Sequence, residues 1–182
     1  MANWIAQRNE LLGKAVIANL AKRNMEGYYC ATKEEALQKA LELIPETDVV
    51  TWGGSVSIDE IGLLAAVKER NPVIDRDTAA TMEEKVEMMR KGLTCDTFLM
   101  STNAMSEDGI LVNIDGNGNR VASLIFGPKQ VVIIAGVNKI TKDLDSAIAR
   151  ARGTAAPVNA QRFAGIRVPC AATGVCANCN SP

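Results

Sequence analysis

The chain has 182 residues, 47% of them hydrophobic, which is enough for one well-formed core and too few to require two conventional domains. Its 20 Lys and Arg balance 21 Asp and Glu, so it lacks the global positive field that draws a protein to nucleic acid or to an anionic membrane surface. It contains no histidine, which excludes Ser-His and Cys-His nucleophile pairs and leaves acid–base chemistry to Asp, Glu, Lys, Tyr or Cys.

From Trp4 to Lys22 the apolar residues Ile5, Leu12, Val16 and Leu20 fall on one helical stripe and predict an amphipathic helix. "GYYCA" reads as a short β-prone run. Thr32 and Glu35 form a capping-box pattern opening a helix that Pro45 stops. "DVVTW" predicts a buried strand, "GGSV" a tight turn, and Ser57 with Glu60 a second capping box starting a helix to about Arg70. "PVID" is weakly extended, and Thr81 with Glu84 predicts a polar helix from Met82 to Lys91 that Gly92 ends. "DTFLMS", "ILVNI" and "QVVIIAG" are apolar runs of strand length, and "KDLDSAIARAR" predicts a last helix ended by Gly153. Strands alternating with helices define an α/β domain on a mainly parallel sheet, spanning residues 1–153 with its N-terminal helix. Residues 154–182 gain Pro, Gly and Cys, lose periodicity, and read as an extended tail packed on that domain. No apolar run approaches the roughly 20 residues that cross a bilayer, and the start lacks the order of a signal peptide. The expected location is cytoplasmic, where cysteines stay reduced.

In "VVTWGGSVSIDEIG" a strand ends, two glycines let the backbone turn closely, and Ser55 and Ser57 precede a helix. Unpaired amides at such a place attract phosphate or carboxylate. The plainer alternative is a βα turn in which Ser57 and Glu60 only cap the helix. The turn is not a Walker loop, since no G-K-[ST] follows, and it lacks the third glycine of a dinucleotide fingerprint. The segment "STNAMSEDGILVNIDGNGNR" follows directly on a strand and carries Asn103, Glu107, Asp108, Gly109, Asn119 and Arg120. Polar groups beyond strand C-termini line the ligand crevice of a parallel sheet, whereas the plain reading is two turns, "EDG" and "DGNG". In "APVNAQRF", Asn159 and Arg162 are placed to cover the crevice, with Arg162 pairing a ligand carboxylate or forming a surface salt bridge. Cys170, Cys176 and Cys179 give a C-x2-C pair plus one more thiol. The alternatives are a zinc or iron–sulfur site, a redox-active thiol pair, and a metal-free tail. A fourth ligand would come from Cys30, Cys95, a second subunit, residues beyond these, or a non-protein group. Cys30 and Cys95 themselves read as buried small hydrophobes.

"TWGGSVSIDEIGL", "FLMSTNAMSEDGILVNIDGNGNRVASLIFGPKQVVIIAGVNKI" and "AAPVNAQRF...PCAATGVCANCNSP", in this order, resemble the compact form of the LUD (lactate utilization) domain over nearly the whole chain. The resemblance implies a fold related to ribose-5-phosphate isomerase, glucosamine-6-phosphate deaminase and CoA-transferase. It implies an anion-binding turn at Gly53, Gly54, Ser55 and Ser57, and a functional loop at Asn103, Glu107, Asp108 and Gly109. It also implies a role in bacterial lactate oxidation beside iron–sulfur partner proteins. Compact members continue past "CNSP" into an acidic, cysteine-containing stretch that these residues do not include, a departure that leaves the source of a fourth cluster ligand open. The candidate ligand-binding residues are therefore Gly53, Gly54, Ser55, Ser57, Glu60, Asn103, Gly109, Asn119, Arg120, Asn159 and Arg162. Glu107 and Asp108 are the candidate catalytic residues, and Cys170, Cys176 and Cys179 the candidate ligands of an iron–sulfur cluster or zinc. Expected partners are a small anionic metabolite, iron–sulfur proteins and a second copy of the chain. The competing expectations are an isomerase, transferase or hydrolase acting on a sugar phosphate or CoA ester through Glu107 or Asp108, and a non-catalytic metal-binding assembly subunit.

Overall fold

The computed structural model describes residues 3–163, 165 and 167–179. In chain order the elements are α1 (Trp4–Ala21), α2 (Lys33–Leu43), β1 (Val50–Trp52), α3 (Val56–Glu60), α4 (Leu63–Arg70), α5 (Met82–Lys91), β2 (Thr97–Met100), β3 (Ala104–Ser106) and β4 (Leu111–Val112). They continue with α6 (Asn119–Ile125), β5 (Gln130–Ile133), β6 (Ile140–Thr141), α7 (Leu144–Arg150), α8 (Ala156–Ala160) and α9 (Pro169–Thr173). The chain divides into two compact units, one of residues 30–101 and 117–135, the other of residues 1–29, 102–116 and 136–182.

The first unit is an α/β layer structure on a fully parallel sheet in the order β1-β2-β5. Side chains of β2 alternate between its faces, as the two-residue period requires. Leu99 joins Val50, Trp52 and Val132 in a core closed by Ala40, Ile44, Ile58, Leu63 and Val67 of the helical segments. Phe98 and Met100 face the other way, onto Cys95, Ile74 and Leu124. Val73 makes a parallel bridge to Val50, so residues 72–74 extend the sheet beyond β1 on the side away from β2.

Both threonine caps form as the sequence predicts. Thr32 accepts from the Glu35 N–H and Thr81 from the Glu84 N–H, while each glutamate reaches back to the amide just before its cap residue. The helix expected from Ser57 to Arg70 is instead two helices. Gly62 adopts φ +76°, a left-handed conformation that ends α3 and starts α4. Gly92 keeps φ −60° and passes α5 into a 3-10 turn instead of ending it abruptly.

In the second unit β3 pairs antiparallel with β4 and parallel with β6. Ala104, Ala147 and Ala151 make its small core, with α7 packed on the strands. "GYYCA" is not a strand, because the Tyr29 ring fills the space beside Gly13 of α1, 2.4 Å from where a Cβ would stand. Gly153 does not end α7, since the chain runs on through a π-helical turn, Ala151–Ala155, into α8. The region expected to be extended carries α8 and α9, and α9 opens on Pro169, where the missing N–H costs nothing. Among the described residues no helix is long and apolar enough to cross a membrane.

Candidate functional site

Two edges of the parallel sheet differ in how completely their polar groups are paired. At the N-terminal edge, Thr97 donates to Asp48 and accepts from Gln130, both at 2.6 Å, and Gln130 also donates to the Leu43 carbonyl. Asp96 accepts from the Val49 N–H at 2.8 Å and pairs with Lys129 at 2.7 Å, contacts that hold its carboxyl below the usual range, Lys129 first. These groups lock strand ends.

The C-terminal edge is different. Past β1 the chain turns through Gly53 and Gly54 into Ser55, with the Gly53 N–H donating to the Leu99 carbonyl at 2.9 Å. A Cβ on Gly53 would lie 3.1 Å from Cδ of Arg120, so the arginine stem lies across this glycine. Arg120 projects from the first turn of α6, and its Nη1 donates to the Ser101 carbonyl at 3.0 Å, just past β2. A Cβ on Gly54 would lie 3.4 Å from Nη2 of Arg76. Two guanidinium-bearing side chains therefore border one Gly-Gly turn.

Ser55, not Ser57, holds the N-cap position of α3, yet its hydroxyl makes no capping bond. Ser55 is only 8% exposed, and its Oγ and the Arg76 Nε are buried without a hydrogen-bond partner among the described residues. A buried polar atom left unpaired costs about 1–3 kcal/mol, so each of the two calls for a partner that the described residues do not supply. The simple capping reading of this stretch does not describe it. Ser57 lies within α3, and Glu60 pairs with Lys33 across 3.6 Å. Asn119 is the first residue of α6, and its carbonyl accepts from the Ser123 hydroxyl.

The other unit holds the remaining candidates. Asn103 is structural, its Oδ1 accepting the Ile114 N–H at 2.9 Å and its carbonyl accepting from Arg150. "EDG" is the turn of the β3–β4 hairpin. Gly109 has φ +86° there, and a Cβ on it would lie 3.2 Å from the Leu20 backbone nitrogen, a tight contact in a conformation that other residues rarely adopt. The Asp108 carboxylate accepts from the Ser106 hydroxyl and from Arg23 at 3.0 Å. The Ser106 bond, then the Arg23 charge, hold its carboxyl below the usual range, which suits a fixed anion better than a proton acceptor. Glu107 pairs with Lys142 at 2.7 Å. Arg162 donates to Asn159 at 3.3 Å and lies against the Phe163 ring, all on the exposed end of α8.

Cys170 lies on α9, with Cys176 and Cys179 in the irregular segment after it, and all are free thiols. Among the described residues, no group of three or more His, Cys, Asp or Glu is arranged to hold a metal ion. No step below runs through a metal. Cys30 is half-buried and irregular, not in a strand, with its thiol raised by burial and then by Glu35. Cys95 is buried as expected, and burial, then Asp96, push its thiol from 9.0 up to about 11. Because the unfolded chain loses this proton first, the stability it contributes is present below pH 9.0 and lost as pH rises through about 11. Urea unfolding at pH 8 and at pH 11 should show Cys95→Ala losing about 2–3 kcal/mol less than the unaltered protein over that interval. Equal losses would refute the shift.

Sequence reasoning missed Arg76. The signal was available in "PVIDRD": residues after any parallel strand reach the same carboxyl edge, and Arg76 follows the segment bridged to β1 as Gly53 follows β1 itself.

These features define an α/β protein whose parallel sheet carries a glycine turn and two arginines at its carboxyl edge. The LUD domain family model matches residues 13–181, and the chain belongs to that family. No curated protein and no solved structure matches it.

Proposed function

We propose that this LUD-domain protein serves lactate or organic-acid utilization by binding a small anionic metabolite at the turn from Gly53 to Ser57, working with iron–sulfur proteins that carry the electrons. The observation that supports the reading is the Ser55 hydroxyl, buried at the carboxyl edge of the sheet and without a hydrogen-bond partner among the described residues. An oxyanion accepts from such a hydroxyl and from the turn amides, and the small glycines let it approach the backbone. The electrostatic attraction comes chiefly from side chains, because α3 has only five residues and a correspondingly weak end charge.

Thermal unfolding of the full chain with L-lactate, pyruvate, malonate or inorganic phosphate tests this. At a concentration about 100 times Kd, a bound anion stabilises by about 2.7 kcal/mol, which is a rise of several degrees for a chain of this size. Ser55→Ala should lose most of the rise while keeping the unliganded melting temperature within a few degrees. No rise with any of the four anions would overturn the anion reading.

A further inference from the structure

We infer that Arg76 is a ligand-binding residue whose guanidinium, together with the Ser55 hydroxyl, seats one oxyanion group, a carboxylate or a phosphate, at the Gly53–Gly54 turn. The inference rests on the anion reading of that turn and adds the residue that supplies its charge. Three placements support it. The parallel bridge from Val73 to Val50 brings the chain after Ile74 to the same edge as Gly53. Nη2 of Arg76 stands 3.4 Å from the position a Gly54 Cβ would take, so any side chain there would crowd the guanidinium. Its Nε is buried and has no hydrogen-bond partner among the described residues, and the same holds for the hydroxyl of Ser55, the residue that follows Gly54.

The neighbouring carboxylates do not explain why this arginine is there. Asp77 lies 4.0 Å from Nε, beyond hydrogen-bond reach, and is nearer to Lys85 at 3.3 Å. Asp75 is held by Lys68 at 2.7 Å, and that ammonium also lies over the Trp52 ring, 5.1 Å from its centre. Asp75 and Asp77 are thus held more closely by Lys68 and Lys85, while the Arg76 side chain, 14% exposed, is left with the long 4.0 Å approach to Asp77. Arginine suits the role because its planar fork donates two parallel bonds to a carboxylate or a phosphate, which an ammonium cannot do.

Titration calorimetry of the full chain, with inorganic phosphate and with L-lactate as separate probes, tests the inference and tells the two oxyanions apart. For whichever probe binds, Arg76→Gln is expected to raise Kd by about tenfold or more, and Arg76→Lys by about threefold or more. The lysine variant keeps charge and stem, so it remains readable should the glutamine variant fail to fold. Arg90→Gln removes the same charge from an exposed position of α5 and should leave Kd within about twofold. If the unaltered protein binds and both Arg76 variants match it, Arg76 is not the ligand-binding residue while the turn reading stands. If the unaltered protein binds neither probe, both readings fall.

Discussion

Gly127→Ala is expected to destabilise the protein by about 3 kcal/mol or more, lowering the melting temperature by roughly 6–12 °C. Gly127 joins α6 to β5 with φ +130°, outside the region that residues with a Cβ adopt readily. Strain is only part of the cost. A Cβ at this position would lie 2.3 Å from the Leu93 carbonyl oxygen, a backbone atom that cannot move aside as a side chain would. Relief would require shifting the turn after α5 or the start of β5. Gly116→Ala is the matched control, because nothing lies within 4 Å of its Cβ position and its φ is not in the left-handed range. That substitution should be neutral or stabilise by up to about 1 kcal/mol through the lower entropy of the unfolded chain. Urea and thermal unfolding of both variants decide the matter, and equal stabilities would contradict the close approach at Leu93.

What the sequence revealed, and what it hid, follows from the range of the interactions involved. The caps at Thr32 and Thr81 depend on residues three apart, so the pattern and the bond are nearly the same observation. The strands at Val50–Trp52, Thr97–Met100 and Gln130–Ile133 were legible as short, mostly apolar runs bounded by polar residues and turns, the pattern of strands in a covered parallel sheet. The Gly53 turn was legible for the same local reason. The Ser57–Glu60 spacing fits a capping box, but α3 starts at Val56 with Ser55 at its N-cap position, and Gly62 separates it from α4. Where the partner is distant in sequence, local patterns had nothing to report. Tyr29 looked β-prone, yet its ring fits beside Gly13 of α1. Asp108 is paired with Arg23, 85 residues away, a partner that no local pattern names. Arg76 reaches the site only through the bridge from Val73 to Val50, and no spacing within "PVIDRD" states which strand it will join.

Leu99→Ala should cost about 2–5 kcal/mol while changing anion affinity by less than about twofold. Leu99 is fully buried at the centre of the parallel sheet, in register with Trp52 on β1 and Val132 on β5. Its side chain fills the core made with Ile58, Leu63 and Val67, and truncation leaves a cavity those neighbours can collapse into only in part. Its backbone has a separate role, because the carbonyl accepts the Gly53 N–H and thereby fixes the first residue of the turn. Alanine keeps that carbonyl. The variant therefore separates sheet stability from turn geometry, and denaturant unfolding should show the loss while titration with a binding anion does not. Leu99→Ile, which conserves volume, should cost less than about 1.5 kcal/mol. If affinity falls in proportion to stability instead, the turn is held by core packing and not by the ladder bond from Gly53, and the placement of Ser55 and Arg76 depends on the whole sheet.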